Sequence, residues 1–447
     1  MSLINVINAD KFNDYQKNQR NMAKGESGEP EKSDEAKVNS LVNEIIARVR
    51  AEGDAAVRFY ASRFEKEVPA RFEVPLETAK EAWKNLQKTE PELSSSLMLA
   101  ADHIRRFAEL QKRQFNDFET EISPGLFTGQ RVIPVDRAAI YVPGGRFPLI
   151  SSVLMGLIPA SAACVREKFL VSPPGTDGLP DRRILAAAHL TGADRIFALG
   201  GAQAIAALAL GTETIPRVDL IVGPGNKYVT AAKRLLFGEV GIDFVAGPTD
   251  VLIITDAENL SAEAADLIAA DMLAQAEHDP DASARALIPD RKMAEQITSA
   301  LEKRLALLPT AEIARSSLQA GGLLIIYSSK EEAIRITNEI APEHLELHVT
   351  SHAEWISGLR NYGSLFIGSS AAEVLGDYSA GINHTLPTSG SARFTGGLSV
   401  RHFLKTPTTL RCIPNQAYYK ALNAAETIAR AEGLAGHAES AVLRSRR

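Results

Sequence analysis

From residue 137 onward the chain repeats one pattern: a short apolar run, a turn rich in glycine or proline, a helix-length stretch, then another short apolar run. Strands that are apolar along their whole length need cover on both faces. The alternation therefore predicts parallel sheets packed between helices. In a first block, residues 138–142 read as a strand, followed by the loop Pro143-Gly144-Gly145 and a helix from Ser151. Residues 169–171 form the next strand, closed by Ser172-Pro173-Pro174-Gly175. Residues 184–190 are helical, 195–199 a strand and 202–210 a helix, and 219–222 run into Gly223-Pro224-Gly225-Asn226. After Gly247-Pro248 the rhythm resumes. It gives strands at 251–255, 284–288 and 323–327, and helices at 261–277, 291–305 and from Glu331.

The expected fold class is α/β, with two parallel-sheet Rossmann-like domains and small accessory segments at both ends. The expected division is an accessory segment at 1–30, a discontinuous first α/β domain at 31–136 and 248–390, a second at 137–247 on the cofactor side, and a C-terminal arm at 391–447. The polar run 24–32 reads as a surface loop. Val38, Leu41, Val42, Ile45 and Val49 then recur at spacings of three and four, an apolar helical stripe that Gly53 ends. A second helix follows at 55–64. Beyond Leu398, residues 409–413 read as strand and 416–431 as helix. Too short to bury much alone, this tail must pack on another domain or on a partner subunit.

Composition narrows the function classes. With 447 residues, 45% of them hydrophobic, the chain is long enough for two filled cores. A formal charge of -6 argues against a protein that mainly grips nucleic acid. The first fifteen residues lack a basic-then-apolar leader and no apolar run reaches membrane-spanning length, so a cytoplasmic protein without a membrane partner is expected. Two cysteines, Cys164 and Cys412, are too few for a thiolate metal cluster, so any metal must rely mainly on nitrogen and oxygen ligands.

Gln275 and His278, three apart near the end of a long helix, project from roughly one face. On spacing alone, they read as a surface amide and a helix-capping imidazole. Asp377 lies in a stretch of small and polar residues and offers a hard oxygen ligand. His437 and His384 are further candidate ligands, and His384 alternatively holds its loop in place. Spacing cannot show that these groups converge. Glu343-His344 follows Pro342 at the edge of an apolar segment. A histidine titrates near neutrality and suits the base that alcohol oxidation requires. Gly223-Pro224-Gly225-Asn226 lacks the full dinucleotide-binding glycine spacing and in isolation reads as an ordinary tight turn.

Taken together, several stretches resemble the histidinol dehydrogenase family over most of the chain. They are Tyr141-Val142-Pro143-Gly144-Gly145, Gly200-Gly201-Ala202-Gln203-Ala204-Ile205-Ala206-Ala207-Leu208-Ala209, Val222-Gly223-Pro224-Gly225-Asn226, Gln275-Ala276-Glu277-His278, Ala341-Pro342-Glu343-His344-Leu345-Glu346-Leu347 and Asn383-His384-Thr385-Leu386-Pro387-Thr388. The resemblance implies zinc held by Gln275, His278, Asp377 and His437, the last supplied across a homodimer with composite active sites. It implies NAD contacts at Tyr141, Gln203 and Asn226, and substrate contacts at Thr249, His344, Glu432 and the metal ligands. It further implies oxidation of L-histidinol through L-histidinal to L-histidine with two NAD, in histidine biosynthesis. His344 would accept the hydroxyl proton in each oxidation, and Glu343 would activate the water that hydrates the aldehyde.

The sequence departs from the biosynthetic pattern in places. Thr249 stands where the family usually has serine, Arg146 follows the paired glycines, and Thr395-Gly396-Gly397-Leu398 differs. Arg146 resembles homologues that oxidise sulfonated diols, and a guanidinium suits an anionic group. The alternative expectation is therefore an NAD- and zinc-dependent dehydrogenase of another polar alcohol, such as 2,3-dihydroxypropane-1-sulfonate. A nonenzymatic metal-dependent dimer or binding protein is the third.

Overall fold

The structure, a computed structural model, describes residues 3–23, 34–144 and 148–445. The polar run 24–32 and Arg146 lie outside the described residues.

Two six-stranded sheets carry the fold. In the first, six parallel strands run in the order Asn5–Asn8, Leu323–Ile326, Ser283–Ile288, Asp250–Thr255, His344–His348, Ser364–Ile367. In the second the order is Gly241–Ile242, Leu220–Val222, Arg137–Tyr141, Glu167–Ser172, Arg195–Ala198, Glu73–Val74, and the last strand alone is antiparallel. In both sheets the earliest strand of the alternating block sits centrally. The next two strands extend one side of it and the following two extend the other. Each central strand feeds a core on both faces. Val251 and Ile253 pack in one cluster, Leu252 and Ile254 in another. Ala138 and Ile140 alternate in the same way with Ala139 and Tyr141. The continuous apolar runs are thus double-faced strands, as their composition requires.

The alternating elements lie close to their sequence-derived positions; the helices Arg291–Leu305 and Gln416–Ala431 match their expected bounds. Two groupings need correction. The helices Asp34–Glu52, Asp54–Phe64, Leu76–Thr89 and Pro91–Lys112 fall in the stretch expected in the first domain, but their apolar faces pack on the second sheet. Val42, Ile45 and Val57 share a core with Tyr141 and Phe169, while Trp83, Leu97 and Ile104 share one with Ile140 and Leu170. The apolar stripe at Val38 to Val49 foretold a buried face without revealing which sheet covers it. Within 1–30, Asn5–Asn8 is an integral edge strand of the first sheet rather than an accessory piece.

Antiparallel pairs tie the tail to the body. Thr408–Cys412 adds to Leu126–Gln130 and Phe118–Ser123, and Leu404–Lys405 pairs with Ile133–Pro134. Beyond them, the helices Gln416–Ala431 and Ala435–Ser445 bury only Ala429, Ala438 and Ala441. Both cysteines are free and exposed. Among the described residues, no helix is long and apolar enough to cross a membrane.

Candidate metal and acid–base site

Helix Lys330–Ile340 ends on Ala341 in the left-handed region (φ 53°), followed by Pro342, which has no backbone N–H with which to continue the helix. In the strand that follows, His344, Glu346 and His348 alternate with Leu345 and Leu347, which fill the core. One strand therefore supplies a dry face and a polar one. That polar face meets two helices. Ala262–Ala276, capped by Ser261 Oγ on the Ala264 N–H at 3.1 Å, carries Asp271 and Gln275 one turn apart. Glu373–Tyr378 carries Glu373 and Asp377, also one turn apart.

Glu343 is buried just ahead of the strand. Its Oε2 accepts from the Thr249 hydroxyl at 2.5 Å and from the Asp250 N–H at 3.1 Å, and its own N–H donates to Asp250 Oδ1 at 3.3 Å. Burial pushes its carboxyl up to about 7, against the opposing pull of His344 and the Thr249 hydrogen bond. The Gln275 amide nitrogen donates to the Thr249 hydroxyl oxygen at 2.7 Å, which leaves the Gln275 carbonyl oxygen facing the Glu373 carboxyl.

His344 is almost completely buried, yet neither ring nitrogen has a hydrogen-bond partner. Nδ1 lies 3.5 Å from Glu373 Oε1 and Nε2 lies 3.6 Å from Asp377 Oδ1. Burial alone lowers the imidazole pKa, but the carboxylates of Glu373, Glu343 and Asp377 outweigh it and raise the value to about 10. The Glu373 carboxyl is pushed well up, chiefly by burial. Asp377 is held below the usual range because, despite its burial, it faces His344.

Ligand atoms of His278, Glu373 and Asp377 all lie within 4.8 Å of one another. Crowded carboxylates, an exposed imidazole and two unpartnered buried nitrogens are the electrostatic setting that a divalent cation and a polar ligand satisfy. His384 does not compete for this place. Its Nδ1 meets the Asp377 carbonyl at 3.0 Å and its Nε2 meets Ser152 Oγ at 3.2 Å, so it braces the Asp377 turn against the Ile150–Ala162 helix beside the second sheet.

The sequence-selected residues fall into three groups. Thr249, Gln275, His278, Glu343, His344 and Asp377 come together at the amino-terminal edge of the first sheet. Tyr141, Gln203 and Asn226 line a separate cavity of about 450 Å³ at the carboxyl ends of the second sheet's strands. There the Tyr141 hydroxyl accepts from Gly201 N–H at 3.2 Å, and burial pushes the phenol pKa well up. Gln203 donates to Glu65 at 3.2 Å, and Asn226 caps the Lys227–Leu236 helix through the N–H groups of Tyr228 and Val229. Glu432 and His437 are exposed on the C-terminal helices, and His437 does not join the convergent ligand atoms.

Sequence reasoning missed Glu373, Asp250 and Glu65. Only Glu373 carried a readable signal, its four-residue spacing from Asp377 on a short helix. Asp250 and Glu65 act through backbone groups distant in the chain.

The fold and the paired sites define an α/β protein in which a buried nitrogen–oxygen metal cluster is combined with a cavity at the carboxyl ends of a second sheet. The family model for histidinol dehydrogenase matches residues 29–445. A histidinol dehydrogenase of Methylococcus capsulatus is 43% identical over 417 residues, 93% of each chain. One of Thermus thermophilus is 44% identical over 410 residues, 91% of this chain and 94% of the relative. The crystal structure of histidinol dehydrogenase from Elizabethkingia anophelis superposes with a TM-score of 0.87 at 31% identity, covering 100% of this chain and 99% of that one. The chain belongs to the histidinol dehydrogenase family.

Proposed function

We propose that the protein oxidises L-histidinol through L-histidinal to L-histidine, using two NAD and one zinc ion, in histidine biosynthesis. Family membership supports the reaction. The observation that carries the assignment to these residues is the unpartnered His344 imidazole, buried between Glu373 and Asp377 and beside Glu343.

Zinc would be held by Gln275, His278 and Asp377, with His437 contributed by a partner subunit. When bound it supplies a Lewis-acidic anchor for the substrate's nitrogen groups, and NAD supplies the hydride acceptor. The remaining steps belong to the chain's side chains. His344 takes the substrate hydroxyl proton in each oxidation. Thr249 holds Glu343 by its hydrogen bond, and Glu343 in its carboxylate form draws a proton from the water that adds to the aldehyde. Glu432, on the same arm as His437, pairs with the substrate ammonium. Tyr141, Gln203 and Asn226 contact NAD.

The two sheets are read as Rossmann-like domains, since each centres on the earliest strand of its alternating block and the strand order reverses beside it. The protein is read as a cytoplasmic homodimer with composite sites.

Zinc-loaded protein incubated with NAD and a panel of alcohols tests the function. About two NADH per histidinol at full conversion is expected from the paired oxidations. Preferential turnover of dihydroxypropanesulfonate would move the assignment to the sulfonated diol. Binding without turnover across the panel would make the protein a nonenzymatic one.

A further inference from the structure

Beneath the site lies a second buried polar cluster that the proposed chemistry does not use. Glu346 is fully buried, one step along the polar face from His344. Its Oε1 accepts the backbone N–H of Glu373 at 2.8 Å, which is the first residue of the helix carrying Glu373 and Asp377. That N–H has no partner within its own helix, so a carboxylate there fixes where the helix begins. Its Oε2 lies 3.2 Å from His348 Nε2. On the opposite side Asp271, one turn ahead of Gln275, brings a carboxylate oxygen within 4.8 Å of the side-chain atoms of Glu346 and His348. Burial first, then the nearby Glu346 charge, raise the Asp271 carboxyl to about 7. Three elements that each carry site residues thus meet on one buried carboxylate.

We infer that Asp271, Glu346 and His348 form a buried strut that fixes the separation between the helix bearing Gln275 and the helix bearing Glu373 and Asp377, and thereby sets zinc affinity. The inference rests on the zinc reading above. All three are positioning residues and touch neither substrate nor metal. The strut acts because ligating oxygens displaced by a fraction of an ångström no longer share one ion.

The test is a chelator titration of the zinc-loaded enzyme, with NAD binding to the second sheet's cavity as the internal control. Glu346→Leu removes the acceptor for the Glu373 N–H and is expected to weaken zinc about tenfold while NAD binding is unchanged. Glu346→Gln keeps a carbonyl at that place and is expected to restore zinc affinity to within about threefold of wild type. Wild-type zinc affinity in Glu346→Leu overturns the strut, as does a Gln variant no better than the Leu variant. A second zinc in the wild type that Asp271→Asn releases also overturns it, since the three groups would then be ligands. Should Glu346→Leu not fold, His348→Gln and Asp271→Asn carry the test, each expected to weaken zinc severalfold; wild-type affinity in both overturns the strut. Asp377→Ala in the same titration separates the two readings. If it keeps its zinc, the metal assignment fails; if it loses zinc while Glu346→Leu does not, only the strut fails.

Discussion

His344 and Glu343 are adjacent in sequence but sit in different electrostatic surroundings. Glu343 is tied to Thr249 and Asp250, whereas the His344 nitrogens face carboxylates at distances too long for hydrogen bonds. Replacing His344 with glutamine removes the proton acceptor but no zinc ligand, so kcat should fall about 10²–10⁴-fold with zinc content unchanged, measured by steady-state NADH formation and metal analysis. Unchanged turnover would count against the base assignment. Glu343 must be ionised to draw a proton from water. Because burial holds its pKa at about 7 while the surrounding carboxylates hold the His344 base at about 10, and both must be free of their protons to act, turnover should rise with pH through both values. In Glu343→Gln the NADH yield per histidinol should drop toward one, since the first oxidation needs no added water. Asp377 is held by His344 on one side and by His384 through its backbone. Asp377→Ala should weaken zinc at least about tenfold in a chelator titration.

At the scale of elements, both sites depend on how short segments are pinned. Gly223 opens the loop that ends at Asn226. Its N–H donates to Asp243 Oδ2 at 2.8 Å and its carbonyl accepts from Lys233 Nζ at 2.9 Å, while Lys233 and Asp243 pair at 2.5 Å with almost no exposure. At φ +110°, with the Tyr141 carbonyl where a Cβ would project, only glycine fits that position. Asp243→Ala leaves the Lys233 ammonium buried and unpaired, which costs about 3–5 kcal/mol of stability in chemical denaturation. The folded fraction should bind NAD more weakly with zinc affinity unaltered, because the loop lines the second sheet's cavity and not the metal cluster. Equal loss of both affinities would show that the clamp acts through global stability alone.

Across the whole molecule, the metal cluster occupies the amino-terminal edge of one sheet and the cavity the carboxyl edge of the other. The loop at 383–388 ties the Asp377 turn to the helix Ile150–Ala162: Asn383 donates to the Met155 carbonyl at 2.8 Å, His384 meets the Asp377 carbonyl and Ser152, and Thr388 accepts the Gly247 N–H. The C-terminal helices leave Ile428, Leu434 and Leu443 exposed along with His437 and Glu432. A partner-supplied ligand makes a direct prediction. Mixing refolded His344→Gln and His437→Gln chains should recover about a quarter of wild-type activity, because heterodimers place both defects in one site and leave the other intact. If each chain used its own His437, no mixture would recover activity.

Sequence determined a large part of this protein. Residues 251–255 and 138–142 could only be strands covered on both faces, because no half-exposed strand is apolar throughout. Spacing likewise put Gln275 and His278 together, and the motifs identified the family. The strand at His344 was less legible: its polar residues alternate with leucines, the pattern of a half-exposed strand, yet every residue is buried. Tertiary structure alone decided that the 34–112 helices cover the second sheet, since an amphipathic face specifies burial but not its partner. It also decided that Glu373 and Asp250 close around Glu343, His344 and Asp377. The reason is physical: periodicity reports contacts within one element, whereas charges from separate elements meet only where packing brings their backbones together.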